Sequence, residues 1–204
     1  GVDVQSAGVI TTPGVAYLAR SRRMAAGIVI SASHNPWTDN GIKVFSGDGF
    51  KLTDERELAI EKEIFALLQN PTSADDTALK IPRPSLPGEA ELRHSYIKEL
   101  AGSVKCDLSK LRVLVDCANG AAAAEAPELF RTLGIQSTFI HITPDGKNIN
   151  EQCGALHPET LGKQVAEARG RFDLGVTFDG DADRALFCDA AGRVVNGDAV
   201  LLAT

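Results

Sequence analysis

Residues 111–140 read LRVLVDCANGAAAAEAPELFRTLGIQSTFI, and their order decides the fold class. Leu111-Arg-Val-Leu-Val115 is a short apolar, β-branched run, the pattern of a buried strand. Asn119-Gly120 turns the chain into a helix predicted over Ala121–Leu133, with Gly134 just past its end. Gln136–Ile142 reads as a strand again. A strand, a helix and a strand at this spacing make a βαβ unit, whose strands run parallel beneath the helix.

The same alternation continues downstream. His157-Pro158-Glu159 opens a helix that ends at Gly170, and Asp173–Phe178 and Ala185–Cys188 read as strands. Ala191-Gly192 turns into Arg193-Val-Val195, and Asp198 is predicted to cap a final helix. Upstream, residues 70–88 hold Pro71, Pro82, Pro84, Pro87 and Gly88, a linker composition that predicts a domain boundary near 75–88. Before it, Thr12-Pro13 reads as the cap and first position of a helix, and Ala26–Ile30 as a buried strand. Residues 31–40 form a polar loop and Ile42–Phe45 a strand. Asp54–Leu68 is an amphipathic helix capped by Asp54, with Leu58, Phe65 and Leu68 on one face. The expectation is an α/β protein of two consecutive α/β domains, each a mixed, mostly parallel sheet with flanking helices.

Composition agrees with that class and removes others. The chain has 204 residues, 44% hydrophobic and 24% charged, which argues against wholesale disorder. No stretch approaches the ~20 apolar residues that cross a bilayer. With 27 acidic against 21 basic residues, the chain carries no overall electrostatic footprint for nucleic acid. Cys106, Cys117, Cys153 and Cys188 form no C-x-x-C pair and read as reduced thiols of a cytoplasmic protein. The chain opens without Met and stops at Leu201-Leu202-Ala203-Thr204, so a piece of a longer protein is expected. Apolar surface exposed on such a piece could drive homo-oligomer formation.

Two constellations carry chemistry. Asp179-Gly-Asp-Ala-Asp183-Arg184 follows a buried strand directly. Three carboxylates on alternate positions of a turn repel one another unless a hard cation joins them, and oxygen ligands favour Mg²⁺ or Ca²⁺. An EF-hand loop fails, because its sixth and twelfth positions hold Arg184 and Ala190. A phosphatase with Asp179 as nucleophile, a structural Ca²⁺ module and a plain solvated turn stay open. The second constellation is Ser31-Ala-Ser-His-Asn-Pro36 with Asp39-Asn-Gly-Ile-Lys43 behind it. Ser33 sits where a strand opens into a loop, with His34 and Lys43 beside it for charge or proton transfer and Asn35 as an amide donor. The alternative is a polar turn capping its own backbone. Together the two stretches could hold a phosphoserine against a Mg²⁺, with Arg184 and Lys43 on the phosphate oxygens.

These residues resemble the α-D-phosphohexomutase superfamily. The stretches that carry the likeness are Ile30–Pro36, Asp39–Lys43, Val115–Ala121, Pro144–Gly154 and Phe178–Arg184. Asn148-Ile-Asn150 with Cys153-Gly154 resembles the branch that works on glucosamine phosphates, with branches for mannose or glucose phosphates as the alternative. The resemblance implies interconversion of glucosamine 6-phosphate and glucosamine 1-phosphate through a bisphosphate, feeding cell-wall sugar nucleotides. It implies Ser33 as the phosphoryl carrier, with Asp179, Asp181, Asp183 and the Ser33 phosphate holding Mg²⁺. Lys43 matches the family's acid/base or charge-clamp lysine, and His34 and Arg184 match phosphoserine contacts. The family has four domains. Residues 1–80 would be most of the first, 81–88 a linker, 89–195 the second and 196–204 the start of the third. The loops that recognise sugar and clamp phosphate would be absent, so the chain alone is expected to be inactive. Ala182 stands where the family has Gly, which an alanine tolerates at φ below zero.

Overall fold

A computed structural model describes residues 3–69 and 88–203. The predicted linker lies almost entirely outside them. The first domain contributes helix α1 (Thr12–Ser21), strands β1 (Ala26–Ser31) and β2 (Gly41–Ser46), and helix α2 (Asp54–Gln69). The second runs α3 (Glu89–Ser103), β3 (Arg112–Asp116), α4 (Ala122–Thr132), β4 (Gln136–Ile140), α5 (Pro158–Glu167), β5 (Leu174–Phe178), β6 (Ala185–Asp189) and β7 (Val194–Val195), and α6 (Gly197–Ala203) follows it.

The second domain is a three-layer α/β/α unit around a sheet of order β4-β3-β5-β6-β7. β3 pairs parallel with β4 and β5, while β6 and β7 continue antiparallel. After its first residue, β3 is buried throughout, as a central parallel strand must be when helices cover both faces. Val113 and Val115 pack under Ala122 and Ala126 of α4. Leu114 faces the other way, onto Leu161 and Val165 of α5.

In the first domain the described residues contribute two strands to the mixed α/β architecture. β1 and β2 pair antiparallel, from Ala26 opposite Ser46 to Ser31 opposite Gly41. The connection 32–40 is too short for a parallel crossover, which takes about a dozen residues. β1 also departs from the predicted buried strand. Its burial alternates, leaving Ile28 and Ile30 63% and 73% exposed. The predicted face of α2 exists, but Leu58, Phe65 and Leu68 are all exposed.

Three caps differ from expectation. Thr11, not Thr12, occupies the N-cap position of α1. Asp54 lies inside the first turn of α2, where its charge suits the helix dipole. Asn196 rather than Asp198 accepts from the first turn of α6, through Ala199 N–H at 2.8 Å.

The two domains are fastened by an apolar cluster and by polar contacts. Ile10 and Leu18 pack with Leu92 and Tyr96 of α3, and the Tyr17 and Tyr96 rings lie 5.6 Å apart. Buried Glu125 accepts from Thr11 N–H at 3.2 Å. Lys147 lies over the Trp37 ring at 5.5 Å, a contact worth about 0.5–1 kcal/mol at an exposed site.

Candidate active site

The serine loop leaves the end of β1, and the acidic loop is the turn 179–184 between β5 and β6. Gly180 brings their backbones together. Its N–H donates to Ser33 C=O at 3.1 Å and its C=O accepts from Ala121 N–H at 2.8 Å. A Cβ on Gly180 would run into Ser33 C=O, and one on Gly120 into the backbone of Gly180, so both positions need glycine.

The predicted residues do converge. Ser33 Oγ lies 3.4 Å from Asp179 Oδ2. Lys43 Nζ reaches across from β2 to Asp181 at 2.6 Å and Asp183 at 2.9 Å. The Ser31 hydroxyl accepts from Ser33 N–H at 2.8 Å. His34, Asp179 and Arg184 line a cavity of about 410 Å³ together with Leu156 and Leu186. The His34 Nδ1 is buried and has no hydrogen-bond partner among the described residues. Arg184 donates its backbone N–H to Asp179 Oδ1 at 3.2 Å while its side chain stays largely exposed, 3.8 Å from Asp183.

The electrostatics follow from burial. Asp179 is fully buried, and desolvation, reinforced by the charge of Asp181, pushes its carboxyl up to about 6. Burial acts on Asp181 in the same sense. Hydrogen bonds from Lys43 and Thr12 outweigh it and hold that carboxyl below its ordinary range. Burial pulls Lys43 down, but its bonds to Asp181 and Asp183 prevail and raise it. Lys43 is therefore held charged between the two carboxylates.

The donor set fits a hard divalent cation. Carboxylate oxygens of Asp179, Asp181 and Asp183 lie within 4.8 Å of one another. Asp181 Oδ1 is buried without a hydrogen-bond partner among the described residues, an acceptor free for a ligand bond. A second group, Asp116, His141 and Cys153, is equally compact but already committed. Asp116 accepts from Ala118 N–H, His141 Nδ1 and Gly154 N–H, each at 2.9 Å. Burial pushes the Cys153 thiol up to about 12, so it stays protonated at neutral pH.

Backbone strain concentrates here. Ser33, Ala118, Asn119, His141, Asn150, Gln152 and Ala182 all have φ between 49° and 59°. Ala182 corrects the sequence expectation: its φ is 55°, in the region where the absent glycine would sit without strain. Sequence reasoning also missed Thr12 and Asn150. Thr12 donates its hydroxyl to Asp181 Oδ2 and its N–H to Asp181 C=O at 2.9 Å. Asn150 Nδ2 donates to Ser33 C=O at 2.8 Å and Asn35 C=O at 3.0 Å.

A serine loop and a carboxylate turn meeting between two α/β domains define a phosphohexomutase-type protein. Residues 1–71 and 94–192 match the family models for phosphoglucomutase/phosphomannomutase, alpha/beta/alpha domains I and II. The chain belongs to this family. It is 58% identical over 201 residues to a phosphoglucosamine mutase of Koribacter versatilis, covering 98% of this chain and 43% of the relative. It is 51% identical over 203 residues to that of Solibacter usitatus, covering 100% and 44%. The chain thus spans less than half the length of these curated relatives. A putative phosphomannomutase structure from Thermus thermophilus superposes with a TM-score of 0.73 at 26% identity, covering 93% of this chain and 42% of that one. Among the described residues, no helix is long and apolar enough to cross a membrane.

Proposed function

We propose that the chain carries the phosphoryl-carrier and metal-binding parts of a phosphoglucosamine mutase, which interconverts glucosamine 6-phosphate and glucosamine 1-phosphate. The observation that supports it best is Ser33 Oγ at 3.4 Å from Asp179, beside a lysine bridging Asp181 and Asp183. The names of the relatives favour the glucosamine sugar. Residues 1–80 and 89–195 are the two proposed domains, and 196–204 the start of a third.

Ser33 gives its phosphoryl group to a sugar hydroxyl. The Ser33 Oγ–P bond breaks as a sugar O–P bond forms, and the proton lost by the sugar hydroxyl is balanced by one gained at Ser33 Oγ, which ends as a free hydroxyl. After the bisphosphate turns over, the other phosphoryl returns to Ser33. Asp179, Asp181, Asp183 and a phosphate oxygen on Ser33 would hold Mg²⁺, which supplies neutralising charge to the transferred group. Lys43 orients the acidic loop and keeps its excess charge bounded. His34 lines the cavity, its buried Nδ1 has no hydrogen-bond partner among the described residues, and it would meet a phosphate oxygen or take a proton, with Arg184 clamping phosphate. A cytoplasmic setting belongs to the same proposal, supported by four free thiols.

The test incubates the chain with hexose 1,6-bisphosphate and Mg²⁺ and measures intact mass. One added phosphoryl, absent in Ser33→Ala, is expected, with negligible mutase turnover. An unmodified chain sinks the carrier reading. A label on Asp179 instead selects the phosphatase, and ordinary turnover by the chain overturns the expectation that it is incomplete.

A further inference from the structure

We propose that Asn150 is a positioning residue for Ser33, holding the serine loop from the opposite domain in the conformation that turns Oγ toward the acidic loop. The inference rests on reading Ser33 as the phosphoryl carrier.

Ser33 has φ 53°, a left-handed backbone that costs a non-glycine residue energy and persists only where surroundings enforce it. Its N–H is tied to Ser31 Oγ and its C=O accepts from Gly180 N–H, as described above. Asn35 N–H closes the turn within the loop, onto Ala32 C=O at 2.8 Å, but neither bond to Ser33 reaches from the opposite domain past that residue. Asn150 does. One amide nitrogen serves the carbonyls of both Ser33 and Asn35, fixing the strained residue and the turn that follows it. Two carbonyl acceptors demand an NH₂ group, so the orientation of this amide is set by chemistry. The same orientation leaves Asn150 Oδ1 buried with no hydrogen-bond partner among the described residues.

Asn150 is itself rigidly mounted. Its N–H donates to Ala118 C=O at 2.9 Å, and Ala118 N–H is held by the buried carboxylate of Asp116 at the end of β3. Its φ of 59° is one that asparagine adopts more readily than most residues. A continuous support therefore runs from the central strand through Asp116, Ala118 and Asn150 to Ser33.

The test uses the 204-residue chain with Asn150→Asp, which keeps size but replaces the donor, and Asn150→Gly, which keeps the backbone conformation and removes the amide. Two readouts separate the two inferences. The first is amide hydrogen exchange at Gly180 and Asn35. Both variants should speed it about tenfold or more while β3 amides change less than about twofold. The second is Mn²⁺ affinity by electron paramagnetic resonance, with serine or encoded phosphoserine at 33. Phosphoserine should tighten Mn²⁺ about tenfold in the parent and about threefold or less in the variants, whose unphosphorylated affinities stay within about twofold. Unchanged exchange in both variants overturns the positioning role. So does full phosphoserine tightening in both. Loss of the fold in both variants overturns it too, since Asn150 would then be a folding residue. If the parent shows no tightening, the carrier reading fails, and the exchange data still judge Asn150.

Discussion

Lys43 Nζ lies 2.6 Å from Asp181 Oδ2, an ion pair that joins β2 of the first domain to the acidic loop of the second. Asp181 is 2% exposed, so the lysine is compensating a carboxylate with little access to water.

Removing that compensation should be costly and reversible. Lys43→Met is expected to destabilise the chain by about 2–3 kcal/mol without divalent cation, below the full cost of orphaning a buried charge because Lys43 is partly exposed. Millimolar Mg²⁺ should recover most of the loss. Urea titrations with and without Mg²⁺ measure both, and a loss insensitive to Mg²⁺ would assign Lys43 to packing alone.

Asp179 makes the site sensitive to pH. Its carboxyl stands at about 6 in the fold against 3.8 ordinarily. As pH rises between those values, the unfolded chain loses a proton that the folded one keeps, so this group's contribution to stability falls and is lost above about 6. Asn at this position cannot ionise. Without metal, Asp179→Asn should therefore gain stability over the parent as pH rises through that window, and Mg²⁺ should erase the gain. Equal pH dependence of parent and variant in denaturant melts would refute it.

Ala182 offers a stabilising change. At φ 55° an alanine is strained, whereas glycine is at ease there. Ala182→Gly should stabilise by roughly 0.5–1 kcal/mol, the relief of strain exceeding the added chain entropy. Calorimetry would show a higher melting temperature, and a lower one would contradict the assignment.

The thiols should divide sharply. Cys106 is exposed, while Cys117, Cys153 and Cys188 are buried. Burial pushes Cys117 and Cys153 up to about 12. A thiol reagent at neutral pH should label Cys106 alone, and all four cysteines in denaturant. Fast native labelling of Cys153 would show that the buried network around Asp116 opens readily.

The architecture of the second domain was legible because its strands are short β-branched runs bounded by Gly, Asn and Pro. The helix Glu89–Ser103 was not, although Leu92, Tyr96 and Ile97 mark one buried face. Its long polar stretches dilute that periodicity, and its apolar partners Ile10 and Leu18 lie far away in sequence. The reactive groups Ser33, Lys43 and the three aspartates could be read, since their residue types and spacing speak for their chemistry. The supports could not. Thr12 reads locally as a helix cap and Asn150 as a turn residue. Both act instead on groups more than a hundred positions away, where only the folded chain places them.

The bonds that hold Ser33 in place come from both halves of the molecule. Homologous recombination that exchanged one half for a diverged counterpart would thus break the reactive geometry before it broke either core. The serine stretch and the Pro144–Gly154 stretch should be inherited as a unit, and functional chimeras should be rare wherever a crossover falls between them.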